Sequence, residues 1–258
     1  MNWDALDFSI VGPAFAAGLL ILATHVPLGR QVLRRGIIFI DLAIAQVAGL
    51  GVIAANALDW EPHGWGVQLV ATAAALAGAL ALYLTERLWP DVQEALIGVL
   101  FILAATGGIL LLSHNPHGGE HLRELLVGQI LWTSYGQLFA VAWVYAGVGI
   151  TWVALRRQSS SLLFYIIFAV TVTVSVQLGG VFLVFASLII PALAVRRLEQ
   201  HGLAWAYGVG IAGYAFGLLA SALFDLPAGA LIVWSLALVG IVVGAVVGRR
   251  RTGQLGAG

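Results

Sequence analysis

Four side chains able to hold a metal ion fall within eight positions, His114, His117, Glu120 and His121, in the run SHNPHGGEHLRELL. Imidazole and carboxylate suit zinc, iron and manganese. On a helix His117 and His121 would stand one turn apart, as would Glu120 and Glu124, and such pairs can close around one ion. Pro116 and Gly118–Gly119 instead favour a turn leading into a short helix, where Glu120 would complement the positive end of the helix dipole. Contact with a metal, a docking surface for a partner and a solvated polar loop are the three readings this stretch allows.

Asp41 offers a different chemistry. It lies about two turns into the apolar run RRGIIFIDLAIAQVAGLG, residues 34–51. A charged residue inside a bilayer costs roughly 2.5–3.5 kcal/mol on insertion scales, so it normally faces a protein interior or a water-filled path and marks function. The competing reading keeps Asp41 hydrated near the interface, paired with Arg34 or Arg35. Asp225, in ALFDLPAGALIV, is a gate or capture residue at the outer boundary, or a cap for the last helix ahead of Pro227. His25, beside Pro27, is expected to make interfacial hydrogen bonds. Thr173, Ser175 and Gln177 nearly alternate, a pattern that no single helix face accommodates, and are read as making bonds between helices. Ser187 and Pro191 are expected to shape a broken helix whose freed carbonyls line a cavity.

The elements that must position these residues are membrane helices. Of 258 residues 61% are hydrophobic and 9% charged. The apolar runs repeatedly approach the ~20 residues needed to cross the hydrocarbon core. They cover 8–28, 36–58, 67–85, 93–113, 135–155, 161–178, 180–195, 203–224 and 226–248. The expectation is an all-α, polytopic helical membrane protein with about nine transmembrane helices, eight being possible. Long continuous runs exclude a barrel, whose strands are short and alternating. All twelve basic residues are arginine, and placing the N-terminus outside puts every one except Arg123 on the cytosolic side, as the positive-inside rule asks. Arg156–Arg157 and Arg196–Arg197 then share a side. The segment between them divides at Gly179–Gly180 into two short helices meeting at a turn, or forms a re-entrant hairpin. One transmembrane domain over residues 1–258 is expected, with 249–258 as a cytosolic tail. The acidic start MNWDALD lacks the basic opening of a cleavable signal. Cysteine is absent, which removes disulfides and thiolate sites, and no lysine is present to build a GxxxxGK[ST] phosphate loop. Any ATP hydrolysis belongs to another chain.

Three stretches carry a family resemblance. RRGIIFIDLAIAQVAGLG looks like the second-helix signature of ATP-binding-cassette importer permeases for zinc, manganese or iron, an arginine-led FGD run followed by a His and a glycine. GGVFLVFASLIIPALAVRR resembles their VGxxLLxxLLIIPAATAR run, and ALFDLPAGALIV their YDxPAGPxI run, in similar order and spacing. The similarity extends from about Pro27 to the last span. It implies a homodimeric permease in the cell (inner) membrane, two ATPase subunits on the cytosolic face, an extracytoplasmic metal-binding protein that delivers the ion, and an intramembrane site that includes Asp41. Two departures stand out. One turn after Asp41, where the relatives commonly carry the His, stands Ala45; the neighbouring Gln46 replaces it only if the helix is shifted by one residue, and an amide is a poorer zinc ligand than imidazole. The relatives also carry a cytosolic helix that docks on the ATPase where this chain has only RRQSSS. Docking then falls to ERLWPDVQE, with Glu86, Arg87 and Glu94, or to RRLEQHG, with Arg196, Arg197 and Glu199.

The function expected is inward passage of a divalent transition metal, zinc or manganese and then iron, as cargo, with no intrinsic cofactor and no nucleic-acid partner. An ATP-independent carrier or channel and an importer of a chelated metal are the rivals. A membrane-embedded metalloenzyme on the histidine loop ranks below both, because no helical HExxH is present.

Overall fold

A computed structural model describes residues 8–56, 64–113, 115, 118–155, 160–198 and 201–255. Among the described residues there are nine α-helices and no strand. They are α1 (Phe8–Arg35), α2 (Ile40–Asn56), α3 (Trp65–Leu88), α4 (Gln93–Leu112), α5 (Gly118–Val127), α6 (Tyr135–Leu155), α7 (Ser161–Ala194), α8 (Gly202–Phe224) and α9 (Ala228–Leu255). Seven are long and apolar enough to cross a membrane, α2 and α5 being the shorter two. The expected runs 161–178 and 180–195 form one helical stretch, α7, broken at Gly180 (φ 77°, ψ 165°).

Two boundaries differ from the sequence expectation. The first helix absorbs Arg34 and Arg35 into its last turn and stops at Gly36, whose φ of 72° ends it. Cations at a helix C-terminus and a left-handed glycine just beyond it are a common stop. The second helix therefore starts at Ile40 and not at residue 36. At the other end, α9 continues through Arg249–Arg251 to Leu255, so the expected tail begins as helix. Nothing from residue 249 to 252 breaks a helix.

Contacts group the chain into two compact units. The first contains α1, the 3-10 turn Ile130–Trp132, the start of α6, α7 beyond its break, α8 and α9. Its core gathers Leu22, Val26, Leu183, Tyr214, Leu218, Ile232 and Leu236, all buried. Helices α8 and α9 pack closely, and a side chain at Gly217 would collide with the backbone of Ile232. Without a hydrophobic drive between helices in lipid, such close approach supplies much of the attraction. Proline 27 has no N–H to give to the carbonyl of Ala23, and the hydroxyl of Tyr207 donates to that oxygen instead at 3.1 Å.

The second unit contains α2 to α5, α6 from Trp143, and α7 up to Val181. A polar hub ties three of its segments together. The amide of buried Gln93 donates to the carbonyl of Leu82 at 2.9 Å and to the hydroxyl of Tyr165 at 3.2 Å, and accepts from Thr85 at 2.9 Å. Elsewhere Ser175 bonds to Tyr145, and Gln68 donates to Gln177, both between helices as expected. Thr173 differs: its hydroxyl donates to Ala169 within α7. The break in α7 is fitted to the end of α5. Gly128, at φ 70°, closes α5 by donating to Glu124 at 2.8 Å, and a side chain at either Gly128 or Gly180 would collide with the backbone at the other.

Candidate functional site

Asp41 occupies the first turn of α2 and is fully buried, with Ile40, Ala43, Ile44 and Ala45 buried around it along the helix. Neither carboxylate oxygen has a hydrogen-bond partner among the described residues. The sequence reading that pairs it with Arg34 or Arg35 at a hydrated interface is therefore replaced by full burial. An ionised carboxylate held this way lacks the compensation that buried charges normally have, and a proton or a cation would supply it. The turn ahead of it is fixed from another helix: Glu94, at the start of α4, accepts the N–H of Phe39 at 3.2 Å.

One turn beyond Asp41, Ala45 is buried and offers no donor atom. Gln46 is half-buried and lines a small cavity with Leu50 of α2, Ala105 of α4 and Leu122, Leu125 and Leu126 of α5. The other residues that line it are all apolar. Helix α5 turns those leucines inward and leaves Glu120, Arg123 and Glu124 exposed. The two glycines ahead of them, expected in a turn, form its first turn, so Glu120 stands near the helix N-terminus. His114, Pro116 and His117 lie outside the described residues, as does the side chain of His121. Among the described residues no group of three or more His, Asp or Glu could hold a metal ion.

Asp225 is exposed and follows the last turn of α8 in the left-handed conformation (φ 53°, ψ 47°), its N–H bonded to the carbonyl of Ser221. The hydroxyl of Ser221 completes the turn by donating to the carbonyl of Leu226 at 2.7 Å. Asp225 thus ends α8, and the cap expected for the last helix is not its role, because α9 begins at Ala228. Ser187 is buried, donates to Leu183 at 2.7 Å within α7 and meets the hydroxyl of Tyr214 at 2.9 Å. Pro191, also buried, sits in the same helix, and Gly29 of α1 packs against the carbonyl of Leu188 beside it. These groups are engaged in helix packing.

On the connection between α3 and α4, residues Arg87 to Val92 are all exposed, and Glu86 and Glu94 are partly so. Arg87 lies over the ring of Tyr83 at 5.6 Å and donates to its hydroxyl at 3.1 Å. Arg196 and Arg197 are exposed in the turn after α7, and Glu199 falls outside the described residues. His25 departs from its expected interfacial place: it is fully buried, with Nδ1 held by the carbonyl of Ile21 at 3.0 Å and Nε2 buried without a partner among the described residues.

Among the described residues, seven helices of membrane-crossing length define a polytopic α-helical membrane protein. The profile of the ABC 3 transport family matches residues 7–159 and 152–247, and the chain belongs to that family. It is 26% identical over 253 residues to an uncharacterized membrane protein of Synechocystis, covering 89% of this chain and 88% of the other. Over 253 residues it is 22% identical to the high-affinity zinc uptake system membrane protein ZnuB of Haemophilus influenzae, covering 88% of this chain and 93% of that one. Its fold is similar to that of PsaBC from Streptococcus pneumoniae, solved in complex with Fab, with a TM-score of 0.73 over 90% of each chain at 18% identity.

Proposed function

We propose that this chain is the membrane-spanning subunit of an ATP-driven importer for a divalent transition metal, zinc or manganese, in the cell inner membrane. The observation that supports it best is Asp41, buried with neither oxygen partnered among the described residues, since a doubly charged ion passing through low dielectric needs a compensating carboxylate. The zinc uptake named for the Haemophilus relative points the same way. ATP is hydrolysed on a separate chain, docked at Glu86, Arg87 and Glu94 or at Arg196, Arg197 and Glu199. An extracytoplasmic binding protein releases the ion near His114, His117, Glu120, His121 and Asp225, and two copies of the chain form the pathway. Gln46, Ser187 and Pro191 belong to the walls of that pathway. The N-terminus is outside and the C-terminus cytosolic.

Proteoliposomes containing this chain and its ATPase, assayed for zinc, manganese and iron uptake with and without ATP, test the proposal. ATP-dependent uptake is the expected result. Uptake without ATP would establish an autonomous carrier or channel, and no uptake of any metal would reject the metal cargo.

A further inference from the structure

His25 has the setting of a metal ligand. Its Nδ1 lies 3.0 Å from the carbonyl oxygen of Ile21 and 3.1 Å from the hydroxyl of Thr24, whose own proton is directed at Ile21 at 3.2 Å. A carbonyl oxygen can only accept, so the imidazole proton resides on Nδ1 and the lone pair on Nε2. That lone pair is fully buried and meets no hydrogen-bond donor among the described residues. Imidazoles that bind metals are oriented in this manner, one nitrogen pinned by a backbone carbonyl and the other left free. The surrounding backbone is held as well, because Tyr207 satisfies the carbonyl that Pro27 leaves open two residues before His25. Helix α2 supplies no imidazole of its own, since Ala45 follows Asp41 by one turn.

We propose that Nε2 of His25 is a nitrogen ligand for the divalent metal ion in transit. The inference rests on the importer reading above. Its signature is selectivity: imidazole favours zinc over manganese, whereas an oxygen donor serves manganese comparatively well.

The test compares zinc and manganese uptake by the full importer complex in proteoliposomes, for wild type and His25→Gln, with basal ATPase activity and melting temperature recorded alongside. The expected result is a zinc KM raised about tenfold or more, a manganese KM changed less than about threefold, and unchanged basal ATPase and melting temperature. Equal losses for both ions, or no loss for either, would overturn the assignment while leaving the importer reading in place. A wild-type complex that takes up neither metal would overturn both. If His25→Gln does not reach the membrane, a variant with His63, His114, His117, His121 and His201 changed to Gln leaves His25 as the one imidazole. X-ray absorption at the zinc edge, on Zn2+ added to the purified full chain carrying those changes, reads imidazole directly through its outer-shell scattering: imidazole scattering supports the proposal, and its absence overturns it.

Discussion

Two aspartates, Asp41 and Asp225, lie at helix ends in stretches that carry the family resemblance, and their surroundings give them opposite characters. Asp41 enters the first turn of α2, is fully buried and meets no hydrogen-bond donor among the described residues. Asp225 follows the last turn of α8, stands exposed, and takes part in the local structure through its backbone. The same carboxylate is in one place buried without a hydrogen-bond partner among the described residues, and in the other belongs to an exposed residue in a left-handed turn. Motif membership marks both positions; burial separates their chemistry.

The largest expected effect breaks this contrast at the buried site. Asp41→Asn should lower metal uptake by roughly 100-fold or more, with equal membrane abundance and an equal or higher melting temperature, because a neutral amide removes an uncompensated buried charge. Asp225→Asn should change uptake by less than about twofold, the exposed carboxylate being solvated already. Parallel uptake assays on the two variants decide the matter. Retained uptake in Asp41→Asn would remove Asp41 from the mechanism, and a large loss in Asp225→Asn would assign the outer carboxylate a direct part in capture.

A second pair extends the contrast to glycines, whose φ values are alike and whose surroundings are not. Gly180 is packed against the backbone of Gly128, whereas a side chain at Gly36 would meet nothing within 4 Å. Gly36→Ala should cost about 1 kcal/mol, the price of a left-handed alanine. Gly180→Ala adds a backbone collision and should cost more than about 2 kcal/mol, seen as a lower melting temperature and reduced membrane yield. Equal losses would mean that α5 yields readily at its contact with the break. The third effect is smaller: Ser187→Ala, which removes the bond to Tyr214, should cost about 0.6 kcal/mol, the average for hydrogen bonds between membrane helices.

What could be read from sequence follows the same division between local and remote causes. The break at Gly180 was legible because a glycine pair separates two runs that are each short for a span. The arrest of α1 at Gly36 also has a local signal, two arginines and then a glycine, yet the uninterrupted hydrophobicity of IIFI concealed it and moved the expected start of α2 four residues early. The burial of Asp41 was one of two readings left open by its position, and neighbours in space decide between them. Glu94 shows why remote causes stay hidden: its partner Phe39 is 55 residues away in the chain. His25 is the clearest case, since Pro27 suggested an interface, whereas the ring is fully buried and Tyr207, on α8, bonds the outer side of the turn that carries it.

A last prediction, for a substitution expected to cost nothing, tests whether Asp225 contributes more than its backbone conformation. At φ 53° and ψ 47° a glycine has no Cβ strain, so Asp225→Gly should leave stability unchanged or raise it by up to about 1 kcal/mol. The N–H of residue 225 still reaches Ser221, and the bond from Ser221 to Leu226 does not involve the aspartate side chain. Uptake within about twofold of wild type, with an equal or higher melting temperature, would identify Asp225 as a turn residue. A melting temperature that rises while uptake collapses would separate the two roles in the other direction, giving the carboxylate a transport function that its exposed position alone does not require.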